Sequence, residues 1–166
     1  MLSIIHYPFF ALLLDTNRIK PLIYKQRKLV NEKDLELELP SRIESVETAA
    51  TRAEEFARES GFGEEALGAI DMAVRESVAN AVKHGNLLDE TKQVELTFSN
   101  QTEGLQIVVR DFGRGFAVEE VPDPTNPENL LKENGRGILF MRAFMDKVEW
   151  SNHAEGGMVV TMLKMR

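Results

Sequence analysis

The first candidates for chemistry are two polar side chains on one predicted helix. Glu76 and Asn80 are four residues apart in the run ESVANAVKHG, residues 76–85. Side chains at this spacing lie on the same helix face, and this face is displaced from the apolar stripe. A carboxylate beside a carboxamide suits a hard cation that keeps bound water. An exposed Glu–Asn pair on a surface helix is the alternative for this segment taken alone.

A second candidate segment directly follows a predicted strand and reads DFGRGF, residues 111–116. A carboxylate such as Asp111 at a strand end can accept a hydrogen bond from an exocyclic amine, and Gly113 and Gly115 let the backbone approach a ligand closely. The spacing is not that of the dinucleotide fingerprint, and the chain contains no P-loop motif. A tight turn would use the same residue types, so this segment alone does not exclude a conformational role.

The third segment, Gly135-Arg136-Gly137, opens a predicted helix after the long loop 116–134. The free backbone N–H groups and the dipole at a helix start attract phosphate, and Arg136 adds a fixed positive charge. Glycines can also serve as hinges for a mobile loop, and the two roles are compatible. A loop of this length in a small domain is typically functional or disordered.

Hydrophobic periodicity predicts the elements that must position these segments. Alternation over 34–39 predicts a strand, and Ser41 with Glu44 suggests a capping box opening a helix that ends near Gly61. A second helix is predicted from about residue 64 to Gly85, where the glycine provides a stop. The predicted elements after it are strands at 94–98 and 105–109, a helix from about 137, and strands at 148–151 and 159–164.

This order predicts an α/β two-layer sandwich. Consecutive strands joined by short links pair antiparallel, and the helices then collect on one face of the sheet. A doubly wound fold would instead alternate strand and helix. We divide the chain into an N-terminal extension, 1–33, and a single domain, 34–166.

Composition narrows the classes of function. The 166 residues include 20 Lys and Arg against 27 Asp and Glu, a formal net charge of −7. Such an acidic chain is not expected to bind nucleic acid directly, because that requires a basic surface. The sequence has no cysteine, which excludes disulfides, thiolate metal sites and cysteine nucleophiles. A cytoplasmic location fits this composition.

The extension begins with an apolar run at 4–14 that Pro8 interrupts. The run is too short to span a bilayer, and its basic residues follow it rather than precede it, unlike those of a signal peptide. We therefore expect no membrane association. An accessory helix, a dimer contact and a poorly ordered segment all remain open for 1–33.

Taken in this order, the three segments resemble the N, G1 and G2 boxes of the Bergerat-fold ATPases. Within that superfamily the sequence is most similar to the anti-sigma factor serine/threonine-protein kinases, over roughly residues 35–164. The resemblance implies a Bergerat-type ATP-binding fold with a mixed, mainly antiparallel sheet and helices on one face.

The resemblance also implies roles for individual residues. Glu76 takes the position of the catalytic carboxylate that activates the attacking hydroxyl, and Asn80 that of the Mg²⁺ ligand that also contacts phosphate. Asp111 takes the position of the acceptor for the adenine amine. The segment 116–134 corresponds to the ATP lid. The remaining candidates for nucleotide contact are Lys83, Gly113, Gly115, Gly135, Arg136 and Gly137.

One position departs from the family pattern, in which a Thr that helps to hold adenine often follows the glycine of the last strand. Met158 stands there in this chain, and Thr161 offers no obvious replacement. Lys83 could reach phosphate or only solvent. His84 ends the predicted helix, where a capping role is favoured over catalysis.

The activity implied by the resemblance is transfer of the γ-phosphoryl group of ATP, with Mg²⁺, to a serine of an anti-anti-sigma factor. The implied partners also include a sigma factor and a second copy in a homodimer. The alternative function is a nucleotide-binding regulatory module with little kinase activity. A sensor histidine kinase fragment fits less well, because the chain is too short to include a dimerisation and phosphoacceptor domain.

Overall fold

A computed structural model describes residues 25–27, 34–115 and 136–166. The predicted lid, 116–134, and Gly135 lie outside the described residues, as does most of the predicted extension. The strands are β1 (Lys25–Arg27), β2 (Asp34–Pro40), β3 (Gln93–Asn100), β4 (Gly104–Arg110), β5 (Lys147–Asn152) and β6 (Met158–Met165). The helices are α1 (Glu44–Glu59), α2 (Glu64–Asn80) and α3 (Arg136–Phe144), and the π-helical turn Ala81–Gly85 continues α2.

The described strands form one sheet in the order β1-β2-β3-β4-β6-β5. Each of the five pairings in this sheet is antiparallel. The α/β two-layer fold class is confirmed, and no parallel pair occurs among the described strands. The last strand, β6, lies between β4 and β5, so it is an interior strand of the sheet.

Alternating apolar residues give the sheet its helix-facing side. Leu35, Leu37 and Leu39 of β2 are buried, while the acidic residues between them are half-buried on the other side. The same alternation recurs in β3 and β4, where every second side chain enters the core. Burial of these strand residues against the helices contributes hydrophobic stabilisation to the shared core.

Helix α1 contacts the core through small side chains, and Ala49, Ala53 and Ala57 are fully buried. It ends as predicted near Gly61, which has a positive φ of 87°. The Phe62 N–H donates to Ala57 O (3.1 Å) and the Gly61 N–H to Arg58 O (3.0 Å). This is a Schellman motif, in which glycine is favoured because the left-handed conformation strains other residues.

The predicted capping box at Ser41 and Glu44 is wrong. Helix α1 begins at Glu44, after an Ile43 N-cap that makes no side-chain cap hydrogen bond. The Ser41 hydroxyl is buried and finds no hydrogen-bond partner among the described residues. Instead, the Ser45 hydroxyl donates to Pro40 O (2.6 Å), which connects the first turn of α1 to the end of β2.

The chain leaves α2 through an unusual turn. The N–H of Asn86 donates to Ala81 O (2.7 Å), and that of Leu88 donates to Val82 O (2.8 Å). Leu87 and Leu88 both have φ near +60° and are exposed. Such conformations cost about 1–2 kcal/mol per residue, so the surrounding hydrogen bonds must hold them.

Strand β1 falls within the range 1–33 that the sequence interpretation treats as an extension, and its register pairs Lys25 with Glu38 and Arg27 with Glu36. The domain division therefore remains a prediction. No helix in the described part of the chain is long and apolar enough to cross a membrane.

One glycine offers a test of the helical packing. Gly68 lies inside α2, and a methyl group added there would meet no other atom within 4 Å. Gly68→Ala should raise the free energy of unfolding by about 0.5–1 kcal/mol, because alanine loses less backbone entropy on folding. Urea denaturation measures the change.

Gly104→Ala is the contrasting variant, because its new Cβ would overlap the Lys164 carbonyl oxygen between β4 and β6. It should lower the free energy of unfolding. A Gly68→Ala variant as unstable as Gly104→Ala would contradict the open position assigned to Gly68.

Candidate functional site

A cavity of about 630 Å³ lies between the C-terminal part of α2 and the ends of β4, β5 and β6. It combines apolar walls with a few polar groups, as small-molecule sites commonly do. Its lining consists of Ser77, Asn80, Ala81, His84, Gly85, Leu87, Lys92, Val109, Asp111, Arg114, Gly115, Ile138, Trp150, Met158 and Val160.

The polar centre of this cavity is Asp111, which directly follows β4 and is only 5% exposed. Its Oδ1 accepts hydrogen bonds from the backbone N–H groups of Gly113 (2.8 Å) and Met158 (3.2 Å). The Asp111 N–H donates in turn to Met158 O (3.0 Å). Oδ2 accepts no hydrogen bond from any described residue, so this oxygen keeps its capacity to accept from a ligand.

Opposing effects act on the pKa of Asp111. Burial raises this pKa above its ordinary value of 3.8, because the ionised form loses hydration. The hydrogen bonds from Gly113 and Met158 act in the opposite direction, as do the positive charges of Lys92 and Arg110. The net shift is upward, so burial dominates.

Three glycines allow the backbone to pack around Asp111. A Cβ on Gly85 would overlap the Asp111 carboxylate, and one on Gly157 would overlap the Asp111 carbonyl oxygen. A Cβ on Gly113 would overlap the Gly85 carbonyl oxygen. The sequence interpretation included Gly113 but assigned Gly85 only to the end of a helix.

Asn86 connects the turn after α2 to the strands, and sequence reasoning did not identify it. This buried side chain accepts from the Phe112 N–H (2.8 Å) through Oδ1 and donates to Gln93 O (2.9 Å) through Nδ2. The sequence offers only one indication of this role, which is that an asparagine directly follows Gly85, the predicted end of the helix. The two bonds fix the position of the segment that contains Asp111.

At the other end of the cavity, α2 meets the start of α3. A Cβ on Gly137 would lie 2.5 Å from Glu76 Oε2 and 3.5 Å from Asn80 Nδ2, so the glycine backbone directly approaches both side chains. Asn80 lines the cavity, whereas Glu76 is half-buried beside it. The start of α3 therefore lies next to a carboxylate and a carboxamide.

The remaining predicted residues fall into different positions. Gly115 lines the cavity with a positive φ of 70°, and an added Cβ would overlap Asn152 Oδ1. Lys83 is exposed and does not line the cavity. Arg136 is the first residue of α3, but the structure does not describe its side chain. Gly135 lies outside the described residues. The functional roles of all these residues remain predictions.

The structure adds cavity residues that the sequence analysis did not select. Lys92, Arg114 and Trp150 all lie on the lining, and the Arg142 guanidinium lies 5.1 Å from the centre of the Trp150 ring. Arg114 belongs to the DFGRGF segment but was not assigned a role there, whereas Lys92 and Trp150 lie outside the three segments and gave no signal. Trp150 is the only tryptophan in the sequence, so its fluorescence can report on occupancy of the cavity.

Met158, which stands where the family often has a threonine, lies beside Asp111. The Met158 side chain is buried on the cavity side of β6, and its backbone forms the two hydrogen bonds with Asp111 described above. Thr161 pairs with Val108 and Glu149 and is out of phase with the cavity-lining Val160. Because successive strand residues point to opposite faces, Thr161 does not replace a hydroxyl at position 158.

The described residues contain no group of three or more His, Cys, Asp or Glu side chains that could hold a metal ion. A magnesium ion commonly takes only one or two protein ligands and completes its shell with phosphate oxygens and water. A single ligand such as Asn80, beside Glu76, therefore fits a magnesium ion that is bound together with a nucleotide. It does not fit a metal site built from protein ligands alone.

Fold and cavity together define a ligand-binding domain of the two-layer α/β class. Residues 39–164 match the family model described as a histidine kinase-like ATPase domain, and the chain belongs to this family. It is 27% identical to the serine-protein kinase RsbW of Oceanobacillus iheyensis over 78% of this chain and 85% of that protein.

Two further relatives extend the comparison. The RsbW of Bacillus subtilis is 26% identical over 78% of this chain and 84% of its own length. An anti-sigma F factor of Clostridium perfringens is 36% identical over 60% of this chain and 73% of that protein. The predicted family is confirmed by these matches.

The raised pKa of Asp111 predicts a pH dependence of stability. The folded state holds the Asp111 proton more tightly than the unfolded state, so the favourable contribution of the protonated group is complete below pH 3.8. It is lost as pH rises through the folded-state pKa. The free energy of unfolding is measured for the parent and for Asp111→Asn from pH 4 to about pH 7. The difference between the two proteins isolates this contribution.

The parent should lose stability relative to Asp111→Asn as pH increases, because only the parent titrates at this position. If the parent instead gained stability relative to Asp111→Asn with increasing pH, the pKa of Asp111 in the folded state would be lowered. Hydrogen bonds and positive charges would then outweigh burial.

Proposed function

We propose that the chain binds ATP with Mg²⁺ in this cavity and transfers the γ-phosphoryl group to a serine of a regulatory protein. The observation that carries the proposal is the arrangement of the cavity. A buried carboxylate, whose Oδ2 accepts from no described residue, occupies one end, and the start of α3 meets Glu76 and Asn80 at the other. The family match and the kinase relatives support the same function.

At the first end, Asp111 Oδ2 would accept from the amino group of adenine. Val109, Met158 and Val160 line the cavity nearby and supply apolar surface for a planar base. Because Oδ1 is engaged by two backbone N–H groups, the carboxylate is held in one orientation before a ligand arrives. Such preorganisation reduces the entropy lost on binding.

At the second end, the first N–H groups of α3 would face the phosphates, with the helix dipole favouring negative charge. Asn80 would hold Mg²⁺ together with phosphate oxygens and water. The ion supplies charge neutralisation for phosphoryl transfer. Gly137 contributes by letting the α3 backbone approach Glu76 and Asn80.

Glu76 would act as the base. Its carboxylate accepts the proton of the serine hydroxyl as the serine oxygen forms its bond to the γ-phosphorus. The bond from that phosphorus to the oxygen shared with the β-phosphate breaks, and ADP leaves with the electron pair. Positioning and charge stabilisation account for most of the rate enhancement in reactions of this kind.

The proposal extends to the partners suggested by the names of the relatives, a serine-protein kinase and an anti-sigma F factor. The phosphoacceptor would be an anti-anti-sigma factor, and the chain would also bind a sigma factor, act as a homodimer and function in the cytoplasm. A nucleotide-binding regulatory module with little transferase activity is the second candidate. The half-buried position of Glu76 beside Gly137, at the start of α3, favours the kinase.

Glu76→Gln should separate binding from chemistry. The amide keeps the shape of the side chain but cannot accept the proton, so phosphoryl transfer should fall by about 10²–10⁴-fold. Nucleotide affinity, followed through Trp150 fluorescence, should stay near the parental value. The matched control is Glu65→Gln, which alters an exposed residue near the start of the same helix. Parental transfer rates in Glu76→Gln would remove Glu76 as the base.

Asn80→Ala should weaken binding of Mg·ATP by at least about tenfold, the scale found for groups that tune a bound metal. In excess chelator, the parent and Asn80→Ala should bind ATP with similar affinity, because the magnesium contribution is absent from both. Calorimetric titration measures both conditions. An equal loss with and without magnesium would assign Asn80 to a role other than metal binding.

A further inference from the structure

Lys92 is a cavity residue to which the proposed function assigns no role. It lies in the connection between the turn after α2 and β3, and it lines the same cavity as Asp111. In the β3–β4 ladder Glu95 pairs with Arg110, so the start of β3 lies beside the end of β4. Lys92, just before β3, and Asp111, just after β4, therefore lie at the same end of these two neighbouring strands.

The backbone of Lys92 is held by hydrogen bonds at both its N–H and its carbonyl group. Its N–H donates to Asp89 O (3.0 Å), and its carbonyl oxygen accepts from the Ser41 N–H (3.1 Å). The preceding turn is closed by Asp89, whose Oδ1 accepts from the N–H (3.0 Å) and the hydroxyl (2.6 Å) of Thr91. The lysine is thus presented from a fixed backbone.

The charge of Lys92 is available to a ligand. Two cations act on Asp111, and one of them, Arg110, pairs with Glu95 (3.3 Å) and Glu155 (3.5 Å). The Lys92 ammonium makes no hydrogen bond or ion pair with any described residue. Val109, Met158 and Val160, the nearby lining from β4 and β6, carry no side-chain donor.

We propose that Lys92 selects the base of the bound nucleotide, by donating to a ring nitrogen of adenine while Asp111 accepts from the neighbouring amino group. This inference rests on the proposed binding of ATP in the cavity. Adenine presents a donor, the N6 amino group, directly beside an acceptor, N1. Asp111 Oδ2 and the Lys92 ammonium offer the complementary acceptor and donor.

Guanine presents the reverse pattern on the same edge. Its O6 would face the Asp111 carboxylate, and its N1–H would face the Lys92 ammonium. The first contact would pair two hydrogen-bond acceptors and the second would pair two donors. Neither forms a hydrogen bond, and buried polar groups left unpaired are costly. Lys92 is therefore a specificity-determining residue, whose contribution depends on the base and not on the phosphates.

Lys92→Met tests this role, because methionine keeps much of the side-chain length and removes the donor and its charge. Affinities for ADP, GDP and adenosine are measured by calorimetry in the parent and the variant. Loss of a charged hydrogen bond should weaken ADP and adenosine alike, by about 10- to 100-fold, and should leave GDP unaffected or improved. Lys92→Arg, which retains a charged donor, should recover most of the ADP affinity.

The decisive ligand is 1-deaza-ADP, which lacks the N1 acceptor. It should bind the parent and Lys92→Met equally. Lys147→Met is the matched control, since it makes the same chemical change at an exposed position at the start of β5. Its affinities should equal those of the parent.

Other results would overturn the proposal in distinguishable ways. A loss confined to ADP and absent with adenosine would place Lys92 on the phosphates. A similar loss with 1-deaza-ADP would mean that the substitution alters the cavity itself. Unchanged ADP affinity would show that Lys92 makes no base contact, whereas a parent that binds no adenine nucleotide would remove the proposed function as well.

Discussion

The burial of one carboxylate constrains the rest of this structure. Asp111 is withdrawn from water, so its Oδ1 must be satisfied by the backbone of its own turn and of β6. Backbone can approach that closely only where side chains are absent, which accounts for glycine at 85, 113 and 157. The same packing leaves Oδ2 without a described partner, and the unsatisfied acceptor becomes the polar centre of the cavity.

Helix α2 connects this centre to the opposite end of the site. Its buried stripe packs on the sheet, while Glu76 and Asn80 face the start of α3. The π-helical turn then redirects the chain so that Asn86 can join Phe112 to Gln93. A single continuous segment, 76–86, thereby positions both ends of the cavity, and the distance between them is set by helix geometry.

Periodicity predicted the layers well, because alternating and helical burial patterns are properties of local sequence. The strand at β2, the Schellman end of α1 at Gly61 and the helix start near Gly137 all follow from such patterns. The capping box failed because the chain turns at Pro40, where Ser45 rather than Ser41 finds an acceptor. Asn86 and Lys92 were not selected, since their roles depend on contacts between segments distant in sequence.

The interior position of β6 has a consequence for the order of events during synthesis. Asp111 completes its hydrogen bonds only with Met158, and β4 gains its second neighbour only when Met158–Met165 is present. A nascent chain that already contains all three candidate segments still lacks the strand that pairs with β4, and Asp111 Oδ1 still lacks the Met158 N–H. Emergence of β6 from the ribosome therefore sets the earliest moment at which the cavity can exist.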